Sequence, residues 1–305
     1  MIISTRHSTR RKGFTLAELL VAMTITIVLV TLTITITGTA IDAWRGARTE
    51  IRAASQAKIM LDALGSDLES MILRRNNEFE WLHADSKETD VGPEDQPSPN
   101  AGRLIFFTAA ADRYNGEVGK ESVDNGGDVC AVSYQLAYTD PIFGGDDEKT
   151  STFVMYRALL NPDETFRGLL GEENLEVAFR SKSTGNEPVD FICENIYELT
   201  VTFVVEYIDE NNDKKTVRIP IMATAKGQNA VREFIINGTR IKANGRDSVP
   251  YKNGSVVAVD LSITVISDPG LRILKNSPFA NAEAKAKFIE QNGYRYTKTV
   301  ITPRP

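Results

Sequence analysis

The chain has 305 residues, 42% hydrophobic and 25% charged, a composition that builds a buried core and excludes a disordered protein. Its formal net charge is -6, yet Arg6, Arg10, Arg11 and Lys12 stand together near the N-terminus with no acid among them. Without those four, 31 bases face 41 acids, and a body so acidic, with no basic patch interleaved with aromatics, argues against nucleic acid as a partner.

Behind the basic block, Phe14 to Thr37 forms a run of 24 residues whose single charge is Glu18. As a helix this run is about 36 Å long, enough to cross a bilayer. The positive-inside rule keeps the basic block cytoplasmic and places everything after Thr37 outside. An isolated acid in such a span costs roughly 2.5–3.5 kcal/mol, so Glu18 requires a reason. Three readings compete. One is an uncleaved signal anchor. Another is a secretory signal peptide cut before Ile41, although the run is longer than an h-region of about 7–15 residues. The third follows from the residues around Gly13.

The stretch "RRKGFTLAELLVAM" resembles the N-terminus of type IV prepilins and pseudopilins. In that family a short basic leader ends in glycine, prepilin peptidase cuts after it, and the new N-terminal residue is N-methylated. A glutamate follows four residues later. The resemblance implies cleavage between Gly13 and Phe14, methylation of Phe14 and a filament-assembly role for Glu18. In a filament Glu18 of one subunit can approach the freed amine of Phe14 in a neighbour, because an unpaired charge in low dielectric is strongly unfavourable. Snorkelling of Glu18 to the interface is the plainer alternative.

The span is rich in threonine, and "TLTITIT" alternates like a strand, but a lipid-facing open strand leaves its backbone unsatisfied, so a helix is expected. Thr24, Thr31 and Thr35 share one face, and Thr26, Thr33 and Thr37 a nearly opposite one. Either the hydroxyls bond back to the carbonyl one turn earlier or they form packing stripes for neighbouring helices. Beyond Gly38 the apolar spacing of Ala54, Ala57, Leu61, Leu64, Leu68 and Met71 predicts an amphipathic helix continuing to about Arg74. Residues 85–102, acidic and proline-rich, read as a loop. Strands are expected at 103–107, 129–138, 152–160, 175–179 and 255–267, with "YELTVTFVVEY" and "KKTVRIPIM" flanking the hairpin turn "IDENND". "NAEAKAKFIEQNG" reads as a helix with a glycine stop.

The expected fold class is α+β, a long N-terminal helix on a mostly antiparallel sheet. Its divisions are a leader (1–13), a transmembrane assembly helix (14–37), the amphipathic half of that helix (38–75) and an extracytoplasmic β-rich domain (76–305). The order is similar to the J-type minor pseudopilins of type II secretion, through "LGSDL" at Leu64–Leu68, "VSYQL", "YRALL" and "VAVDLSITV". The tail "YRYTKTVI" and "AWR" at Ala43–Arg45 look more like the Verru_Chthon cassette protein C group.

Little in the sequence points to chemistry. Beyond the leader only His83 remains as a histidine, with no nucleophile motif beside it, so no enzyme is expected. One histidine and two distant cysteines make a poor zinc set, and no metal or other cofactor is expected. Asp209, Asn211 and Asp213 begin a calcium-loop pattern that fails at Lys214 and Pro220, leaving a polar turn. "DNGGD" (124–128) and "GGDDE" (144–148) read as solvated turns or, with other loops, a calcium site. Asn237-Gly238-Thr239 and Asn253-Gly254-Ser255 match glycosylation sequons, a short and common pattern. Cys130 and Cys193 are expected as two buried thiols, with a disulfide as the alternative. The expected partners are prepilin peptidase, other pilin or pseudopilin subunits and the inner membrane. A tip adhesin with ligand-binding loops is the rival reading.

Overall fold

The computed structural model describes residues 13, 15–87, 91–93, 96–113, 127–145, 149–209, 211–224, 229–238, 240–244, 246–247, 251, 254–276, 279 and 281–303. The chain divides into two units, Met1–Thr49 and Glu50–Pro305. Helix α1, Leu16–Glu69, makes up most of the described part of the first unit and continues into the second. In the first unit its large apolar side chains, Leu16 through Ile36, are all exposed. That is the pattern of a helix built for an apolar solvent or for other helices, not for a core of its own.

In the second unit α1 changes character. Ala53, Ala57, Met60, Leu61, Leu64 and Leu68 are buried at helical spacing. The helix ends at Glu69, short of the expected Arg74, because the sheet takes over its last groups. The Thr108 hydroxyl donates to the Asp67 carbonyl at 2.8 Å, Ile72 N–H bonds the Phe107 carbonyl, and Met71 pairs with Thr108 as an extended residue.

The strands that follow are β1 (Glu80–Lys87), β2 (Ala101–Thr108), β3 (Cys130–Thr139) and β4 (Thr152–Leu160). Two short helices come next, α2 (Pro162–Gly168) and α3 (Leu175–Lys182), then a 3-10 turn at Pro188–Asp190. The chain continues through β5 (Phe191–Glu194), β6 (Ile196–Ile208), β7 (Lys214–Pro220), β8 (Glu233–Asn237), β9 (Ile241–Ala243), β10 (Arg246–Asp247) and β11 (Ser255–Ile266). It closes with α4 (Asp268–Asn276), α5 (Ala282–Asn292) and β12 (Gly293–Ile301).

One run of strands has the order β10-β9-β8-β1-β2-β3-β4-β5, and β12-β11-β6-β7 form a second. Neighbours within each run are antiparallel. The runs meet where Ala101 pairs in parallel with Leu199. Gly102 makes this approach possible, since a Cβ there would lie 2.8 Å from the Leu199 carbonyl oxygen. The architecture is α+β, a long helix on a large antiparallel sheet.

The β1–β4 strands are buried on both faces. Leu82, Leu104, Phe106, Val132 and Tyr134 join the α1 core, whereas Trp81, Ile105, Phe107 and Ala131 join a second core closed by Leu169, Leu175 and Phe179. Residues 175–179, expected as a strand, are therefore helical instead. The Asn174 side chain accepts from Val177 N–H at 2.9 Å, and the Glu80 carboxylate of β1 accepts from Leu175 N–H at 2.8 Å. Two of the four orphan donors of this helix start are satisfied that way, and Leu175 and Phe179 then share its inner face. The expected loop at 85–102 is also trimmed, because β1 runs to Lys87.

Candidate functional site

The start of α1 carries a feature the sequence reading passed over. Thr15 precedes the first helical turn; its N–H and its hydroxyl each donate to Glu18 Oε2 at 2.9 Å, while Glu18 N–H donates to Thr15 Oγ1 at 3.2 Å. This reciprocal arrangement is a capping box, legible as Thr-x-x-Glu. Both in-chain bonds fall on Oε2, which leaves the other carboxylate oxygen free for a partner outside the chain. Gly13 is exposed just before the cap, and Phe14 lies outside the described residues. Farther along, the hydroxyls of Thr24, Thr26, Thr31, Thr33 and Thr35 donate to the carbonyls four residues earlier at 2.8–2.9 Å. Back-bonding, the first of the two expectations, is thus present at five of the six threonines named above. Their methyl groups, with the Leu, Ile, Val, Ala and Met side chains, are left to face lipid or neighbours.

In the second unit the same helix is fastened to the sheet at three levels. Arg52 pairs with Glu194 at 2.5 Å and with Asp268 at 2.6 Å. Lys298 of β12 donates to the Leu61 carbonyl at 3.3 Å and pairs with Asp62 at 3.2 Å. The third level is a network buried at Asp67 and Tyr134 and open to solvent at Asp112. Asp67 of α1 accepts from Tyr134 Oη at 2.6 Å and from Arg157 Nε at 2.8 Å and Nη2 at 3.1 Å. Arg157 reaches across to Asp112 with Nη1 at 2.7 Å and Nη2 at 3.0 Å. Burial, then the Asp67 charge, holds the Tyr134 hydroxyl well above its ordinary range. Burial works against the Arg157 charge, but Asp67 and Asp112 outweigh it and raise its pKa, while Arg157 holds the Asp112 carboxyl low. Every member is satisfied, the condition under which a buried polar network fixes one arrangement of its elements. Asp67, Tyr134 and Arg157 belong to "LGSDL", "VSYQL" and "YRALL", so three separate fragments meet in one clamp.

The remaining sequence candidates land elsewhere. His83 is only 3% exposed, inside the second core. Its Nε2 lies 3.7 Å from Glu176, whose carboxylate also binds Arg103, itself bidentate to Asp85. This cluster ties α3 to β1 and β2. Cys130 and Cys193 are buried free thiols. Ala131 lies opposite Leu160, so Cys130 lies one residue beyond it, and Cys193 lies opposite Met155, which separates the two cysteines by about 20 Å along β4. A disulfide requires Cα atoms about 4.4–6.8 Å apart, so the alternative of a Cys130–Cys193 bridge is corrected to two separate thiols. Burial pushes Cys130 up to about 11 and Cys193 up to about 12. Asp209 Oδ1 accepts from the N–H groups of Asn211 and Asp213, each at 2.9 Å, in the β6–β7 turn, and its carboxylate also pairs with Lys215. Most of 124–128 and 144–148 lies outside the described residues, as do Thr239 and Asn253 of the two sequons.

Residues 8–34 match the family model of the prokaryotic N-terminal methylation motif. The chain carries a prepilin-type N-terminus. No curated protein matches it. Among solved structures it is similar to a type IV-like pilin from Thermus thermophilus at 11% identity and a TM-score of 0.32, covering 83% of this chain and 97% of that one. The motif, with the bilayer-length apolar run behind it, supports a membrane-anchored pilin or pseudopilin subunit. It implies processing by prepilin peptidase and assembly with other pilins. It does not select the J-type subgroup.

Proposed function

We propose that the chain is a structural subunit, a minor pilin or pseudopilin, of a type II secretion-like pseudopilus or a type IV-like pilus, and not an enzyme. Residues 1–13 are the leader, cytoplasmic and removed between Gly13 and Phe14; Phe14 is then methylated. Residues 14–37 anchor the subunit in the inner membrane, residues 38–75 couple that anchor to the body, and residues 76–305 are extracytoplasmic. The observation that carries this reading is the motif match over residues 8–34, at the head of the 54-residue helix α1. Glu18 takes both cap bonds on one oxygen, so it can hold the local helix start and still accept the amine of a neighbour's Phe14. The clamp at Asp67 makes the body follow the helix, as a subunit positioned through its helix requires. The test is Gly13→Val in cells that carry the peptidase: the uncleaved precursor should accumulate. Normal processing of that variant contradicts the assignment.

A cavity of about 980 Å³ favours a second reading, a tip module that binds a small ligand. It lies between α5 and strands β6, β11 and β12, within the size range of ligand sites. Lys285 Nζ, its pKa lowered by burial, donates there to the Pro97 carbonyl at 2.7 Å, and Glu198 accepts from Thr264 at 3.1 Å. Replacing Ala286 by Trp fills the space. Unchanged secretion or piliation in that variant favours the structural role; selective loss of surface binding favours the module.

A further inference from the structure

Arg48 and Asp190, charges of opposite sign, are among the described residues that make no ion pair. Arg48, on α1, lies over the Trp44 ring at 5.7 Å, and Trp44 is 62% exposed. Arg45, between them, reaches only Asp42, at 3.8 Å. Asp190, in the 3-10 turn before β5, accepts from the Glu187 N–H at 3.4 Å, and burial, with the Glu187 charge beside it, raises its pKa. Asp190 lines a groove of about 470 Å³ between Ala63 and Ser66 of α1 and the start of β5. The floor is the Asp67–Arg157–Asp112 clamp, so the groove holds three carboxylates against one guanidinium. Its rim is apolar, with Val189 84% and Phe191 40% exposed.

We propose that this groove receives the Trp44–Arg48 segment of a second copy of the chain, with Arg48 paired to Asp190 and the Trp44 ring covering Val189 and Phe191. The proposal rests on the reading of the chain as a polymerising subunit. The charges are complementary: Arg48, with no ion pair among the described residues, enters a groove with two carboxylates in excess. An aromatic anchor flanked by arginine is the composition that centres protein interfaces. Trp and Arg also suit a bilayer interface. That alternative leaves Asp190 uncompensated and the apolar rim bare.

The test uses the full-length chain in membranes, as two differently tagged copies. One carries Trp44→Cys and the other Val189→Cys; Cys130 and Cys193 are buried and do not compete. A disulfide between the tags is expected. Arg48→Glu on the first copy, or Asp190→Arg on the second, should each lower its yield about ten-fold, and the two together should restore it. Absence of the disulfide, or a yield that ignores charge reversal, overturns the docking. Quenching of Trp44 by brominated lipid without a crosslink also overturns it, and assigns the segment to the bilayer. Leader cleavage is scored on the same samples. Cleaved chains that fail to crosslink overturn the docking alone, and uncleaved chains that crosslink overturn the pilin reading alone.

Discussion

Glu18 holds two roles that substitution can separate. Glu18→Gln keeps a residue able to close the capping box but removes the charge. Thr15→Ala removes the cap, at about 1 kcal/mol of helix-start stability, and keeps the charge. If assembly depends on pairing with the Phe14 amine, Glu18→Gln should assemble poorly and Thr15→Ala nearly normally, with processing intact in both. Crosslinking to neighbouring pilins reads this directly, and the reverse order would show that the carboxylate serves only the cap. The buried thiols give a second residue-scale expectation. Folded Cys130 and Cys193 keep their protons up to about 11 and about 12, whereas unfolded cysteine releases its proton near about 8.5. Their stabilising contribution is therefore complete below about pH 8.5 and is lost as pH rises toward the folded values. Urea titrations from pH 7 to 10 should show stability falling, and Cys130→Ala with Cys193→Ala should flatten the fall. A thiol reagent at pH 8 should find no rapid reaction in the native protein and two thiols after unfolding.

At the scale of elements, the clamp makes the strongest claim. Arg157→Leu leaves Asp67 buried without its cation, a loss of about 3–5 kcal/mol, whereas Leu64→Ala, a cavity in the same helix–sheet core, costs about 2–5 kcal/mol. Hydrogen exchange should distinguish them. Arg157→Leu should loosen α1 from Ser66 to Glu69 and the Asp112 segment first, and uniform loosening would show that the network is not a local fastening. Much of the element order was legible in the sequence: β3, β4, β11 and the β6–β7 hairpin follow from β-branched and aromatic runs between turn residues, and α5 from its glycine stop. Other elements were not. β1 escaped because the face that carries Trp81 also carries His83 and Asp85, which meet the Arg103–Glu176 ion cluster and erase the apolar alternation. α3 was misread because five apolar-patterned residues fit either structure, and a cap from Asn174 and the distant Glu80 decides between them. The clamp was invisible, since Asp67 lies 67 residues from Tyr134 and 90 from Arg157. No local spacing encodes a contact across such separations. At the N-terminus the legibility was reversed: the processing motif was plain, while the capping box within the same letters went unread.

The whole molecule divides its labour between a unit with an exposed apolar helix and a unit with its own cores. Truncation before Asp42 should therefore give a monomer soluble without detergent, with the near-ultraviolet signature of packed aromatics such as Phe203 and Phe234, whose rings stack at 4.3 Å. Aggregation of that fragment would mean that the membrane half is needed for the fold. The central claim is that the first unit is a processed assembly helix, and the N-terminus of the mature protein tests it most directly. Purified from membranes of cells that carry prepilin peptidase, and sequenced by mass spectrometry, the protein should begin at Phe14 with one methyl group on its amine. A chain that begins at Ile41, or still at Met1, contradicts the account.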